Sequence, residues 1–101
     1  MRLALVLHTG PDSLNTGTVI NLARAARERG DEVTVFIMTA GVLNLAREDF
    51  TSLIQGGTQI TVCEHNRGQF KAPEGVAGVN YGSQYDLAGY THDFDRVVSF
   101  S

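Results

Sequence analysis

The spacing of apolar positions changes several times along the chain, and each change predicts an element. Arg2 to His8 contains the unbroken run Leu3-Ala4-Leu5-Val6-Leu7, the pattern of a strand covered on both faces, which belongs mostly to parallel sheets. The turn-rich "TGPDSLNTG" follows. From Thr18 to Arg29, Val19, Leu22, Ala23 and Ala26 recur at helical spacing, so one stripe faces a core while Arg24, Arg27 and Glu28 face water. Gly30 then stops the helix as a C′ glycine. Glu32 to Met38, "EVTVFIM", is rich in β-branched and aromatic residues and reads as the second strand. Between Val42 and Gln55, Ala46, Phe50, Leu53 and Ile54 keep helical spacing until Gly56 and Gly57. Thr58 to Cys63 is the third strand.

After Cys63 the pattern fades. Glu64 to Ser83 carries four glycines and a proline and reads as mostly loop, with a short edge strand near Val76 to Tyr81. Ser83 and Asp86 have capping-box spacing, and the helix they start runs to about His92 with Leu87 and Tyr90 inward. Asp95 to Phe100 is the last strand. The succession βαβαβ, loop, αβ predicts parallel strands joined by right-handed crossovers. The expected fold class is therefore α/β: a three-layer α/β/α sandwich on a mainly parallel sheet of four to five strands, one domain spanning residues 1–101.

Composition narrows the function. With 43% hydrophobic and 19% charged residues and a formal net charge of −3, the chain offers no polycationic surface, so direct contact with nucleic acid is not expected. Leu3 to Leu7 is its longest apolar run, far short of the roughly 20 residues of a membrane span. The start lacks a long apolar region and an A-x-A-like cleavage site, so no membrane association and a cytoplasmic location are expected. A single cysteine, Cys63, forms no intrachain disulfide and suits a reducing compartment.

In open parallel sheets, ligands bind beyond the carboxyl ends of the strands. That rule puts His8, Thr9, Thr39, Cys63, Glu64, His65 and Arg67 at one edge. Two readings of Cys63 stand side by side: a small buried hydrophobe closing a strand, or a nucleophile whose thiolate is favoured by His65 and Arg67 and opposed by Glu64. No HExxH or CxxC is present, and neither a metal site nor a cofactor is expected. The "TGPDSLNTG" turn has no phosphate-loop spacing, and capping by Ser13 or Asn15 explains it equally well. Ser83 lacks a G-x-S-x-G elbow, His92 is expected to be exposed, and Asp93 and Asp95 flank a strand start as surface turn residues.

A first strand with a turn, the stretch "NTGTVINLARAARERGDEVTVFIMTAGV" after it, the third strand ending in "VCEHNRG", and the closing "YDLAGYTHDFDRVVSFS" together resemble the DsrE/DsrF-like family of small sulfur-relay proteins over nearly the whole chain. The resemblance implies a strand order 3-2-1-4, with two strand spacings between His8 and Cys63. It also implies assembly as trimers or hexamers and an intracellular carrier whose cysteine takes sulfane sulfur as a persulfide from a donor protein and passes it to an acceptor. Cys63 matches that cysteine, with Arg67 and His65 as supporting residues and His8, Thr9 and Thr39 at the pocket edge. The alternative of a different class is a non-catalytic oligomeric binding module in which Cys63 is structural and the glycine-rich loop 68–82 contacts a partner.

Overall fold

The computed structural model describes residues 1–101. Strands β1 (Arg2–Leu7), β2 (Glu32–Ile37), β3 (Gln59–Cys63), β4 (Asn80–Gly82) and β5 (Arg96–Phe100) form one sheet in the order β4-β3-β2-β1-β5. All four neighbouring pairs are parallel. The order expected for the four main strands is thus found, and the edge strand sits outside β3, displaced toward Gly82. Helix α1 (Leu14–Glu28) covers one face and α4 (Gln84–Asp93) the other, giving the α/β/α sandwich.

The two faces are unequally filled because side chains alternate along each strand. Leu5, Leu7, Val35, Ile37, Ile60 and Val62 point to the α1 side, into a cluster of 16 buried residues. On the α4 side the buried cluster is only Val6, Phe36 and Cys63, capped by Leu87 and Tyr90. Tyr90 meets Phe36 edge-on with ring centroids 6.3 Å apart, and its hydroxyl shares a 2.8 Å hydrogen bond with the Thr61 hydroxyl. Burial raises the Tyr90 pKa above its ordinary value.

Three elements depart from the sequence pattern, each for a local reason. Helix α1 begins a turn earlier than Thr18, because the Ser13 hydroxyl accepts the Asn15 N–H at 3.1 Å and starts the helix at Leu14. Leu22, placed on the buried stripe, is 42% exposed. Between Val42 and Gln55 the chain forms no continuous helix: a 3₁₀ run Thr39–Ala46, the short α2 (Glu48–Thr51) and a second 3₁₀ run Ser52–Gly56 follow one another. Arg47 breaks the path with extended backbone (φ −101°, ψ 115°), its guanidinium held by Asp49 and the Pro11 carbonyl. The segment after Cys63, read as loop, starts with α3 (Glu64–Phe70). Arg67 donates to Glu64 at 2.6 Å and to the Ala72 carbonyl at 3.1 Å, so a side-chain pair and a C-terminal tie stabilise a helix that Gly68 weakens.

Two features fix the carboxyl edge of the sheet. Asn44, fully buried, donates to the carbonyls of Thr9 and Gly41 and accepts from the Thr16 hydroxyl at 2.8 Å, satisfying its amide and tying the first turn to the 3₁₀ run. Gly41 crosses the end of β1 so closely that a Cβ there would overlap the Leu7 carbonyl oxygen. No helix of the chain is long and apolar enough to cross a membrane.

Two predictions follow from these contacts. Gly41→Ala must push backbone away from β1 and should destabilise the protein by about 3 kcal/mol, measured by urea unfolding; a change under about 0.5 kcal/mol would mean that the crossing is not tight. His92 is exposed, as expected, and its Nδ1–H donates to the Asp93 carboxylate at 2.7 Å; this bond raises the His92 pKa above its ordinary 6.5. A raised folded-state pKa stabilises the fold below the unfolded value, and that contribution is lost as pH rises through the folded value. Wild type should therefore exceed His92→Gln in stability more at about pH 5.5 than at about pH 8.5, and an equal difference at both would show that the pair does not form.

Candidate functional site

The chain leaves β3 directly into α3, so Cys63 is at once the last strand residue and the residue before the helix, with backbone φ −71° and ψ 107°. Its side chain makes no capping bond. It packs with Val6 and Phe36 and is only 4% exposed, forming the floor of a groove of about 600 Å³.

Three walls bound that groove. From the end of β2 come Met38 and Thr39, from α3 come His65 and Asn66, and from the start of α4 come Ser83, Gln84 and Tyr85. The third wall arrives through strand pairing. The β3–β4 register sets Gly82 opposite Cys63, and the capping box begins one residue later, with the Ser83 N–H donating to Asp86 at 2.8 Å and the Ser83 hydroxyl accepting from Tyr85. The Asp86 carboxylate folds back over Gly82, where a Cβ would collide with it. Tyr85, next on the helix, stands 87% exposed on the rim.

Thr39 has φ +51°, a left-handed conformation rare for a β-branched residue. It is held there from both sides: its N–H donates to Asn66 Oδ1 at 2.8 Å, and its single hydroxyl proton lies between the His8 carbonyl oxygen at 2.7 Å and that of Met38 at 2.6 Å. Asn66 in turn donates to Gln69 at 2.8 Å. The β2 turn is thereby fastened to the helix that follows the thiol. Across the groove Gln84 approaches the Met38 sulfur at 3.8 Å.

Of the residues singled out in the sequence, Cys63, His65 and Thr39 line this groove together. His8 and Thr9 lie at the same sheet edge outside it. His8 directly follows β1, two strands from β3, about 9.5 Å by strand spacing, and Thr9 accepts from Asn15 at 3.2 Å. Arg67 is directed along α3: Glu64 binds it at 2.6 and 3.1 Å and Glu74 lies 3.8 Å away. The Arg67 hydrogen bond holds the Glu64 carboxyl below its ordinary range, and no Asp, Glu, Lys or Arg lines the groove.

Met38, Asn66, Gln84 and Tyr85 escaped the sequence reading. Asn66 had no motif to mark it. The α4 residues had a signal in two separate observations, an edge strand after the third strand and a capping box after that, which together place the helix start beside Cys63.

A sequence model of the DsrE/DsrF-like family matches residues 1–100. The chain belongs to the DsrE/DsrF-like family. Among solved structures it is similar to the ychN protein from E. coli, at 18% identity with a TM-score of 0.81 over 98% of this chain and 97% of that one. It is also similar to BT1422, a conserved protein of unknown function from Bacteroides thetaiotaomicron, at 16% identity and the same TM-score of 0.81, over 98% of this chain and 94% of that one. These likenesses establish the DsrE-like fold. No curated protein matches the chain.

Asn66→Ala removes the acceptor for the Thr39 N–H. The expected loss is about 1 kcal/mol of stability together with faster amide exchange at Thr39 in hydrogen-exchange NMR. Unchanged exchange at that amide would show that the turn is held without Asn66.

Proposed function

We propose that this DsrE/DsrF-like protein is an intracellular sulfur carrier whose Cys63 accepts sulfane sulfur as a persulfide and hands it to a partner. The observation that carries the reading is that the one thiol of the chain forms the floor of a groove at the ligand-binding edge of the sheet. The thiolate of Cys63 attacks the outer sulfur of a donor persulfide. The new S–S bond forms on Cys63, the donor S–S bond breaks, and the donor leaves as a thiolate that takes up a proton. Transfer onward repeats the exchange with Cys63 as leaving group, so no external oxidant or reductant enters. A lone cysteine suits this role, because no neighbouring thiol can release the sulfur by forming a disulfide.

In this scheme His65, on the groove wall, accepts the thiol proton. Thr39 and Asn66 fasten the β2 wall to the α3 wall that carries His65. Arg67 acts as a positioning residue: by holding Glu64 and the Ala72 carbonyl it keeps α3, and with it His65 and Asn66, in place. The donor and acceptor are proteins, and the carrier works as a homo-oligomer of three or six subunits, in the cytoplasm, as the family resemblance implies.

A second reading draws on the same thiol. Its 4% exposure and its packing on Val6 and Phe36 also suit a structural residue in an oligomeric binding module, with the groove as a docking surface.

Intact mass spectrometry after incubation with a sulfane-sulfur donor separates the two. A carrier gains one sulfur, loses it on reduction, and shows neither change in Cys63→Ala. An unmodified protein under conditions in which denatured protein reacts would favour the structural reading.

A further inference from the structure

At the opposite edge of the sheet from Cys63, roughly 16 Å away along β3, a cleft of about 320 Å³ opens between the last turns of α1 and the segment leading into β3. We propose that this cleft is a binding site for a phosphate group, free or carried by a small molecule as a monoester.

Three residues converge there with hydrogen-bond donors to spare. Arg27 is clamped by backbone carbonyls, its Nε donating to Gly56 at 3.1 Å and its Nη1 to Asp31 at 2.9 Å. Carbonyls orient the guanidinium but do not neutralise it, and Nη2 remains free. Arg24, one turn earlier on the same helix face, lines the cleft with no ion pair. Thr58 is the decisive residue. It is only 3% exposed and lines the cleft, yet its hydroxyl has no hydrogen-bond partner in the protein and is not sealed from solvent. Solvent in the cleft satisfies this hydroxyl in the free protein, and a ligand oxygen can take the water's place.

The remaining polar groups select among anions. Ser52 spends its proton on the Asp49 carbonyl at 3.0 Å, so it offers only lone pairs to a ligand. Glu28, also on the lining, offers a carboxylate and opposes negative charge, as does the carbonyl end of α1. Two guanidinium groups outweigh one carboxylate, and an anion that keeps a proton can donate it to Glu28 or Ser52. Phosphate and its monoesters keep one at about pH 6. Sulfate has none to give, so the cleft should prefer phosphate.

The test is a titration of the folded protein at about pH 6 and constant ionic strength, followed by ¹H–¹⁵N NMR, with inorganic phosphate, glycerol phosphate and sulfate as separate ligands. Saturable shifts at the Gly57 and Thr58 amides are expected with phosphate or with glycerol phosphate, and weaker ones with sulfate. Whichever of the two binds tighter identifies the free anion or the monoester as the source. Arg24→Gln and the isosteric Thr58→Val should each weaken binding roughly tenfold, and Glu28→Gln should remove the preference over sulfate. Arg24 is exposed, so its variant keeps the test valid if Thr58→Val unfolds. Shifts that do not saturate, sulfate binding equal to phosphate, or affinity unchanged in Arg24→Gln would overturn the proposal.

Discussion

Parallel pairing of all five strands is the constraint on which the rest of this molecule depends. Each strand must be re-entered from the same end, so the chain has to return across a face after every strand and the returns become the covering layers. The same rule collects every strand's carboxyl end at one edge. Cys63, Thr39 and His8 share that edge because of hydrogen-bond geometry far from their side chains. The short β4 extends the rule by one strand, and its pairing with β3 brings the start of α4 beside the thiol. A capping box that appears local in sequence thus becomes part of a groove wall.

The two faces of the sheet have different tasks. The α1 side holds the larger cluster, 16 buried residues against three on the α4 side, and supplies most of the apolar burial that stabilises the fold. The smaller cluster contains Cys63. Polar groups accompany it: Thr61 bonds Tyr90, and the Thr39 turn is strained yet tied from both sides. Backbone strain of this kind persists only where the surroundings over-determine it, and Asn66 with the His8 and Met38 carbonyls provides that. The groove is held firmly on its β2 and α3 walls.

Much of the architecture was legible because buried parallel strands leave a simple mark, and Leu3 to Leu7, Val33 to Ile37 and Ile60 to Cys63 all carry it. The Ser83 and Asp86 spacing foretold its capping box for the same reason: the motif is closed within four residues. Illegible parts depend on partners distant in sequence. Arg47 breaks the second helical pattern because Pro11, 36 positions away, accepts from its guanidinium. Helix α3 was hidden by Gly68, whose low propensity is offset by the Glu64 and Ala72 contacts of Arg67. At the candidate site, residue type and strand ends picked out Cys63, His65 and Thr39. Asn66 and Tyr85 are defined only by what faces them across the groove, which no periodicity encodes.

The ten-residue α4 has no fully buried residue, and its hold on the sheet is Leu87, Tyr90 and the Thr61 bond. Lifting it exposes far less apolar surface than unfolding the α1 side, so the free energy of that local opening lies well below the global value. The sulfur of Cys63 lies beneath this weakly held layer. A reagent too bulky for the groove reaches that sulfur only while the helix is raised, so its rate is the intrinsic thiol rate multiplied by that fraction of time. Whatever binds Tyr85 and Gln84 and shifts that fraction sets the tempo of the thiol without touching it.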